Sequence, residues 1–265
     1  MKTLRGGNSV GYIRNGVLVG DSSSSCLRKV LLRSEGIQES VLSNQTQNVF
    51  ALGHLSEKFF LESAKDFLGK YEVELKVIDN LIKDEVDFEG HSDVCSESTV
   101  YELKSVTSKN TYNKVFKHGQ AKTENIIQLV NYMISLEKED GLLVYTSYCD
   151  VLDYKTIGDL TWEQVELLAN ESSKEQKGFS VKILQDGTIT VDGESIEVTI
   201  SEILEFRTRA AEVLFNNTVY LDRPSSLKDS MFPPCYGCVC NQVCDEFESK
   251  RFTTEEFINK CKEII

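Results

Sequence analysis

The chain has 265 residues, enough to bury a sizeable core in one domain, and its 40% hydrophobic and 9% aromatic content excludes a disordered polypeptide. A net charge of −13 excludes a surface that coats nucleic acid indiscriminately, so any basic function must be local. No stretch nears the ~18 apolar residues of a membrane helix, and the opening MKTLRGGNSVGYIRNG holds no run of signal-peptide length. The expectation is an intracellular protein with no membrane partner, whose eight cysteines are thiols or metal ligands rather than disulfides.

Asp21 and the serines Ser22 to Ser25 can cap a short helix, LRKVLLRSEG, which begins beside Cys26 and closes at Gly36. A longer helix is predicted from about Asn44 to Phe67, with Phe50, Phe60, Leu61 and Ala64 on its apolar face. Glu57 falls at the centre of that stripe and His54 at its flank. Alternating patterns predict strands at 71–79, near 86–95 and at 99–106, and apolar spacings of three and four predict a helix over 121–137. GLLVYTSY and VLDYKTI read as a strand pair, followed by a helix capped by Thr161. Between 178 and 200, Asp186-Gly187 and Asp192-Gly193 separate short β-branched runs, the pattern of small hairpins in an appended β element. A helix from about Ser201 to Phe215 then leads into a cysteine loop whose entrance is stiffened by Pro233-Pro234.

That loop contains Cys235, Cys238 and Cys244 at Cys-x2-Cys-x5-Cys spacing, short enough for three thiolates to meet at one metal centre. A tetrahedral sulfur site needs a fourth ligand, for which Cys26 is the candidate. On spacing alone structural Zn²⁺ is the commoner occupant, with an iron–sulfur cluster as the alternative. Cys240 is an extra thiol in the loop, and Cys95, Cys149 and Cys261 have no partner at motif spacing.

Between these cysteines lies Asp93, followed on the next strand by Glu102-Leu-Lys104. Side chains alternate along a strand, so Glu102 and Lys104 share a face. Two carboxylates can bind Mg²⁺ or Mn²⁺, which activates water and offsets charge developing on a phosphate, and a lysine there can position that water or the phosphate. Glu57, with His54 as the competing ligand, needs compensation if its stripe is buried, and either a metal or a salt bridge would supply it. Gln128 and Tyr132, at i and i+4, face the same way and can orient substrate or Lys104. From Leu103 to Lys122 there is no acidic residue, while Lys104, Lys109, Lys114, Lys117 and Lys122 form a cationic strip interleaved with Tyr112 and Phe116. Such a strip suits the backbone and bases of a single strand better than a broad duplex face.

The order Gly53-x3-Glu57, Asp93, Glu102-x-Lys104, Gln128-x3-Tyr132 resembles the PD-(D/E)XK nucleases of the RecB type. With Cys26 and Cys235-x2-Cys238-x5-Cys244 it resembles their iron–sulfur branch, which includes the CRISPR-associated Cas-four exonucleases. The likeness covers roughly residues 20–250. It implies an α/β, restriction-endonuclease-like core, a mixed sheet flanked by helices, in a single nuclease domain over 1–265 with cluster-binding segments at 26 and 235–244; the hairpin insert at 178–200 is not part of that common core. It implies catalytic Asp93, Glu102, Lys104, Gln128 and Tyr132, a metal on Glu57, Asp93 and Glu102, and a [4Fe–4S] cluster on Cys26, Cys235, Cys238 and Cys244. It further implies a metal-dependent exonuclease acting on single-stranded DNA ends, 5′ to 3′; the charge pattern makes Lys109, Lys114, Lys117 and Lys122 the expected DNA-binding residues. The alternatives are a structure-specific endonuclease, or a DNA-binding adaptor working with recombination or CRISPR-adaptation proteins. Cas-four members place His where this chain has Glu57, which leaves Glu57 and His54 both open as the helix ligand.

Overall fold

The computed structural model describes residues 17–19, 27, 31, 43–82, 86–216, 243 and 253–264. Cys26, Cys235, Cys238, Cys240 and Cys244 lie outside the described residues. So does most of the helix expected at 27–36, of which Leu27 and Leu31 are helical and Leu31 is buried. Among the described residues, eight strands join in one mixed sheet: β1 (Val17–Val19), β2 (Tyr71–Ile82), β3 (Val86–Ser96), β4 (Thr99–Val106), β5 (Asp140–Ser147), β6 (Gln176–Ile183), β7 (Thr188–Val191) and β8 (Glu194–Thr199). The order is β1-β3-β4-β5-β6-β7-β8, with β2 also paired to β3. Helices flank the sheet, and the fold is α/β. No helix of the described residues is long and apolar enough to cross a membrane.

The chain divides into two compact units, and residues 42–77 and 91–201 form the one that matters for the site. Its helix α1 (Asn44–Ala64) starts at Ser43, whose hydroxyl accepts the Thr46 amide. α1 buries Asn48, Leu52, Ser56, Phe60 and Ala64, every fourth residue. The first half of that stripe packs Leu52 against Tyr148, Leu152, Ile157, Val165 and Ala169. The second half packs Phe60 and Ala64 against Val94, Leu103 and Val144 of the sheet.

β4 and β5 are parallel, with Glu102 opposite Leu143 and Lys104 opposite Tyr145. Parallel neighbours need a crossover. Here it runs through a one-turn helix α2 (Lys109–Tyr112), a π-turn (Asn113–Lys117) and helix α3 (Thr123–Ser135). α3 packs on β4 and β5, and the approach is close at Gly141, where a Cβ would stand 2.5 Å from the Met133 sulfur. The cationic strip is thus the first half of a crossover that begins at the end of β4. Beyond β5, helix α4 (Trp162–Glu171) has the expected Thr161 cap, here a full capping box with Gln164.

The sequence predicts a strand at VLDYKTI, but these residues form turns and a 3₁₀ segment, Ile157–Asp159. Asp153 is the cause. Its carboxylate accepts the Lys155 amide at 2.9 Å and its carbonyl the Ile157 amide at 2.9 Å, and such local bonds divert the backbone from a ladder. The strand pair predicted there is instead β5 with β6, which are antiparallel. The two Asp-Gly turns fall as expected, with positive φ at Gly187, Asp192 and Gly193, and β6 to β8 continue the main sheet.

The other unit comprises the described parts of 1–41, 78–90 and 202–265. It pairs β1 in parallel with the start of β3, Leu18 opposite Phe88. In helix α5 (Ile200–Asn216), Arg207 is 2% exposed, donates to Asp79 at 2.9 Å and lies over the Phe88 ring at 4.2 Å. Helix α6 (Thr254–Ile264) buries Phe257, Ile258 and Cys261.

Candidate active site

β3 and β4 bring the sequence-predicted acids and lysine together. Alternation along β4 sends Tyr101 and Leu103 toward the α1 cluster and leaves Glu102 and Lys104 side by side on the other direction. Lys104 donates to Glu102 Oε1. Glu102 is 1% exposed, and its second oxygen, Oε2, is buried with no hydrogen-bond partner among the described residues. Asp93, on β3, accepts the Leu103 amide at 2.6 Å, which ties its carboxylate to the backbone between the two catalytic candidates.

The electrostatics follow from burial and crowding. Burial pushes the Asp93 carboxyl well above the usual range, and the charge of Glu102 adds to this against the pull of Lys104 and the Leu103 amide. Burial also raises Glu102, partly offset by Lys104. For Lys104, burial opposes the charged form, but Glu102 and Asp93 outweigh it and hold the ammonium above its ordinary pKa. Two carboxyls and one ammonium thus share a poorly solvated place where burial disfavours a second negative charge, a setting that a bound cation would relieve.

Glu57 differs from its predicted position. The buried stripe of α1 runs through Ser56, one residue away, and Phe50 is 48% exposed rather than part of the apolar face. Glu57 sits beside the stripe with its side chain 19% exposed, 3.3 Å from His54 Nδ1. Its charge nonetheless bears on both Asp93 and Glu102.

Two residues of the neighbourhood escape the sequence reading. Glu74 of β2 also bears on Glu102. Its φ of 52° breaks the alternation of YEVELKVID, so period-two reasoning misplaces it. Tyr145 lies opposite Lys104 in the register and is 1% exposed. Its hydroxyl accepts the Lys122 amide at 3.1 Å and the Asn125 amide group at 2.9 Å, and burial pushes its pKa up to about 12. It joins the end of the cationic strip to the site, a role invisible inside an apolar run.

Gln128 and Tyr132 share a face of α3 and bond to each other, Gln128 Nε2 donating to the Tyr132 hydroxyl at 3.3 Å. In the strip, Tyr112 and Phe116 stack on one another, with ring centroids 5.0 Å apart, and the Tyr112 hydroxyl donates to Glu175. Lys117 lies 6.0 Å from the Tyr112 ring centre. Lys109 stands 4.0 Å from Asp153 and Lys122 3.6 Å from Glu124. Cys95 and Cys261 are buried thiols and Cys149 is half-buried.

No protein-family model and no curated protein matches the chain. Among solved structures, a protein designated SSO0001 is similar at 14% identity and a TM-score of 0.46, over 88% of this chain and 87% of that one. The alkaline exonuclease LHK-Exo of Laribacter hongkongensis is similar at 14% identity and a TM-score of 0.48, over 76% of this chain and 89% of its own. A phage-related exonuclease from Haemophilus somnus 129PT is similar at 9% identity and a TM-score of 0.48, over 77% and 95%. Identities this low and TM-scores below 0.5 assign this chain neither a family nor an activity.

Proposed function

We propose that the chain is a divalent-metal-dependent DNA nuclease of the PD-(D/E)XK, RecB-like type, an exonuclease that acts on single-stranded ends in the 5′ to 3′ direction. One observation carries the reading: the buried Glu102 carboxylate gives one oxygen to Lys104 and leaves Oε2 unsatisfied. A buried carboxylate oxygen without a partner is strongly unfavourable, and hard divalent ions such as Mg²⁺ or Mn²⁺ are bound by such oxygens. Glu102, Asp93 and Glu57 would hold the ion. When bound, it supplies Lewis acidity that activates water and offsets charge on the phosphate.

The chain's own residues supply the rest. Lys104 keeps its proton, because Glu102 and Asp93 stabilise the ammonium. It acts as a donor to a phosphate oxygen or to the attacking water, not as a base. The Leu103 amide fixes the Asp93 carboxylate. Gln128 and Tyr132 act as a bonded pair in orienting substrate, and Lys109, Lys114, Lys117 and Lys122 contact the DNA backbone. A [4Fe–4S] cluster on Cys26, Cys235, Cys238 and Cys244 belongs to the same proposal, since four cysteine thiolates are a complete donor set for it.

Linear and closed circular single-stranded DNA, each with Mg²⁺ and with a chelator, test the reading. Metal-dependent loss of linear strands with intact circles is expected. Efficient cutting of circles points to an endonuclease, and undiminished cleavage under chelation removes the metal.

A further inference from the structure

Tyr145 carries a hydroxyl into the interior of β5, where the residue is 1% exposed. Burying a phenol is costly unless its oxygen is bonded, and here the bonds lead out of the sheet. The Lys122 backbone amide donates to it at 3.1 Å and the Asn125 side-chain amide at 2.9 Å. Lys122 immediately precedes the first turn of α3, and its side chain makes no capping bond. The Lys122 N–H lies outside the helical ladder, so the phenol is the acceptor that fixes where α3 begins.

The same phenol stands beside Lys104. Residues opposite each other in a ladder point to one face of the sheet, and Tyr145 is opposite Lys104 in the parallel pair of β4 and β5. Each side chain bears on the charge of the other. The ring is held in place by burial and by Phe179 of β6, which meets it edge-on with centroids 5.8 Å apart. Farther along, α3 meets the same strand at Gly141, where Met133 and Leu129 leave no room for a Cβ. That contact is apolar and sets the spacing of helix and strand. The bonds to Tyr145 set position along the strand, because hydrogen bonds are directional.

We propose that Tyr145 is a positioning residue of the nuclease reaction, holding the start of α3 against β5 so that Lys122 and the Gln128–Tyr132 pair keep a fixed place relative to Lys104. The proposal rests on the nuclease reading of the site. Lys122 ends the cationic strip, and Gln128 lies one turn beyond Asn125 on α3. A strand held by these groups presents its phosphate to Lys104 only if α3 and β4 stay in register. Misplacement by about 1 Å can cost about 10²-fold in rate, whereas charge contacts with the DNA backbone tolerate it. Loss of the hydroxyl should therefore slow the chemical step and spare affinity.

The test compares the wild type, Tyr145→Phe, Asn125→Ala and the double variant, each as the full chain. Phenylalanine keeps the ring and removes the acceptor, and Asn125 is half-buried, so its truncation probes the same oxygen without touching the sheet. Circular dichroism melts establish that each variant is folded at the assay temperature. Cleavage of saturating linear single-stranded DNA in Mg²⁺ should slow by at least about tenfold in Tyr145→Phe and by less in Asn125→Ala. Affinity for the same strand in chelator should stay within about twofold. The double variant should be no slower than Tyr145→Phe, because both substitutions act through one oxygen. A purely structural role would lower the melting temperature and leave the cleavage rate of folded protein unchanged. An unslowed Tyr145→Phe, a loss confined to affinity, or losses that multiply in the double variant overturns the proposal. If Tyr145→Phe does not fold, Asn125→Ala decides, and an unslowed rate there overturns it. An inactive wild type overturns the nuclease reading and the proposal with it, whereas an active wild type beside an unslowed Tyr145→Phe overturns the proposal alone.

Discussion

At the scale of one residue, Asp93 is a carboxyl held where burial and a neighbouring acid disfavour its charge. Its folded pKa is raised, chiefly by burial and by Glu102. In metal-free protein its contribution to stability is then fully present below the unfolded carboxylate pKa of about 3.9, and is lost as pH rises through the folded value. Asp93→Asn removes this titration while its side-chain carbonyl can still accept the Leu103 amide. Metal-free Asp93→Asn should therefore melt higher than the wild type at neutral pH, and the difference should shrink as pH falls toward 4. Thermal melts in chelator across that range check it, and parallel pH profiles would contradict it. The pairing of Glu102 with Lys104 is legible in the sequence because alternation along β4 puts both on one face. Glu57 lies one step around α1 from the centre of the predicted stripe, because Ser56 occupies the buried line and hydrophobicity alone does not favour a serine there. Glu74 was hidden by a left-handed backbone, which no residue type at that position announces.

At the scale of elements, the crossover from β4 to β5 decides where the basic strip lies. Strands at 86–96 and 99–106 and the helix at 123–135 follow from their periodicity and were read almost to their observed ends. The 151–157 segment was not, because Asp153 bonds locally and outcompetes the weak strand pattern. Within the crossover, Lys109 and Lys122 have acidic neighbours, whereas Lys117 projects beside a stacked aromatic pair. Lys114→Glu with Lys117→Glu should lower affinity for single-stranded DNA by about tenfold or more at low salt and reduce the salt slope by about 1–2. Mn²⁺ binding should be unchanged. Fluorescence anisotropy at several salt concentrations reads both quantities, and an unaltered affinity would place the DNA elsewhere.

At the scale of the molecule, a chain of net charge −13 offers no broad basic face, so on the proposed nuclease reading DNA follows a narrow path past β4. The cysteines bear on the whole chain as well, since Cys26 and Cys235–Cys244 come from opposite ends of the sequence. Protein purified without oxygen should be brown with about four irons per chain, and replacement of any one of the four ligands should bleach it. Colourless protein holding stoichiometric zinc would show the other metal. The central claim concerns Glu102, and its most direct test compares the wild type with Glu102→Gln on labelled linear single-stranded DNA in Mg²⁺. Glutamine keeps the shape of the side chain and removes its charge, so cleavage should fall by roughly 10²-fold or more while DNA affinity stays within about twofold. Cleavage by Glu102→Gln at the wild-type rate would contradict the account.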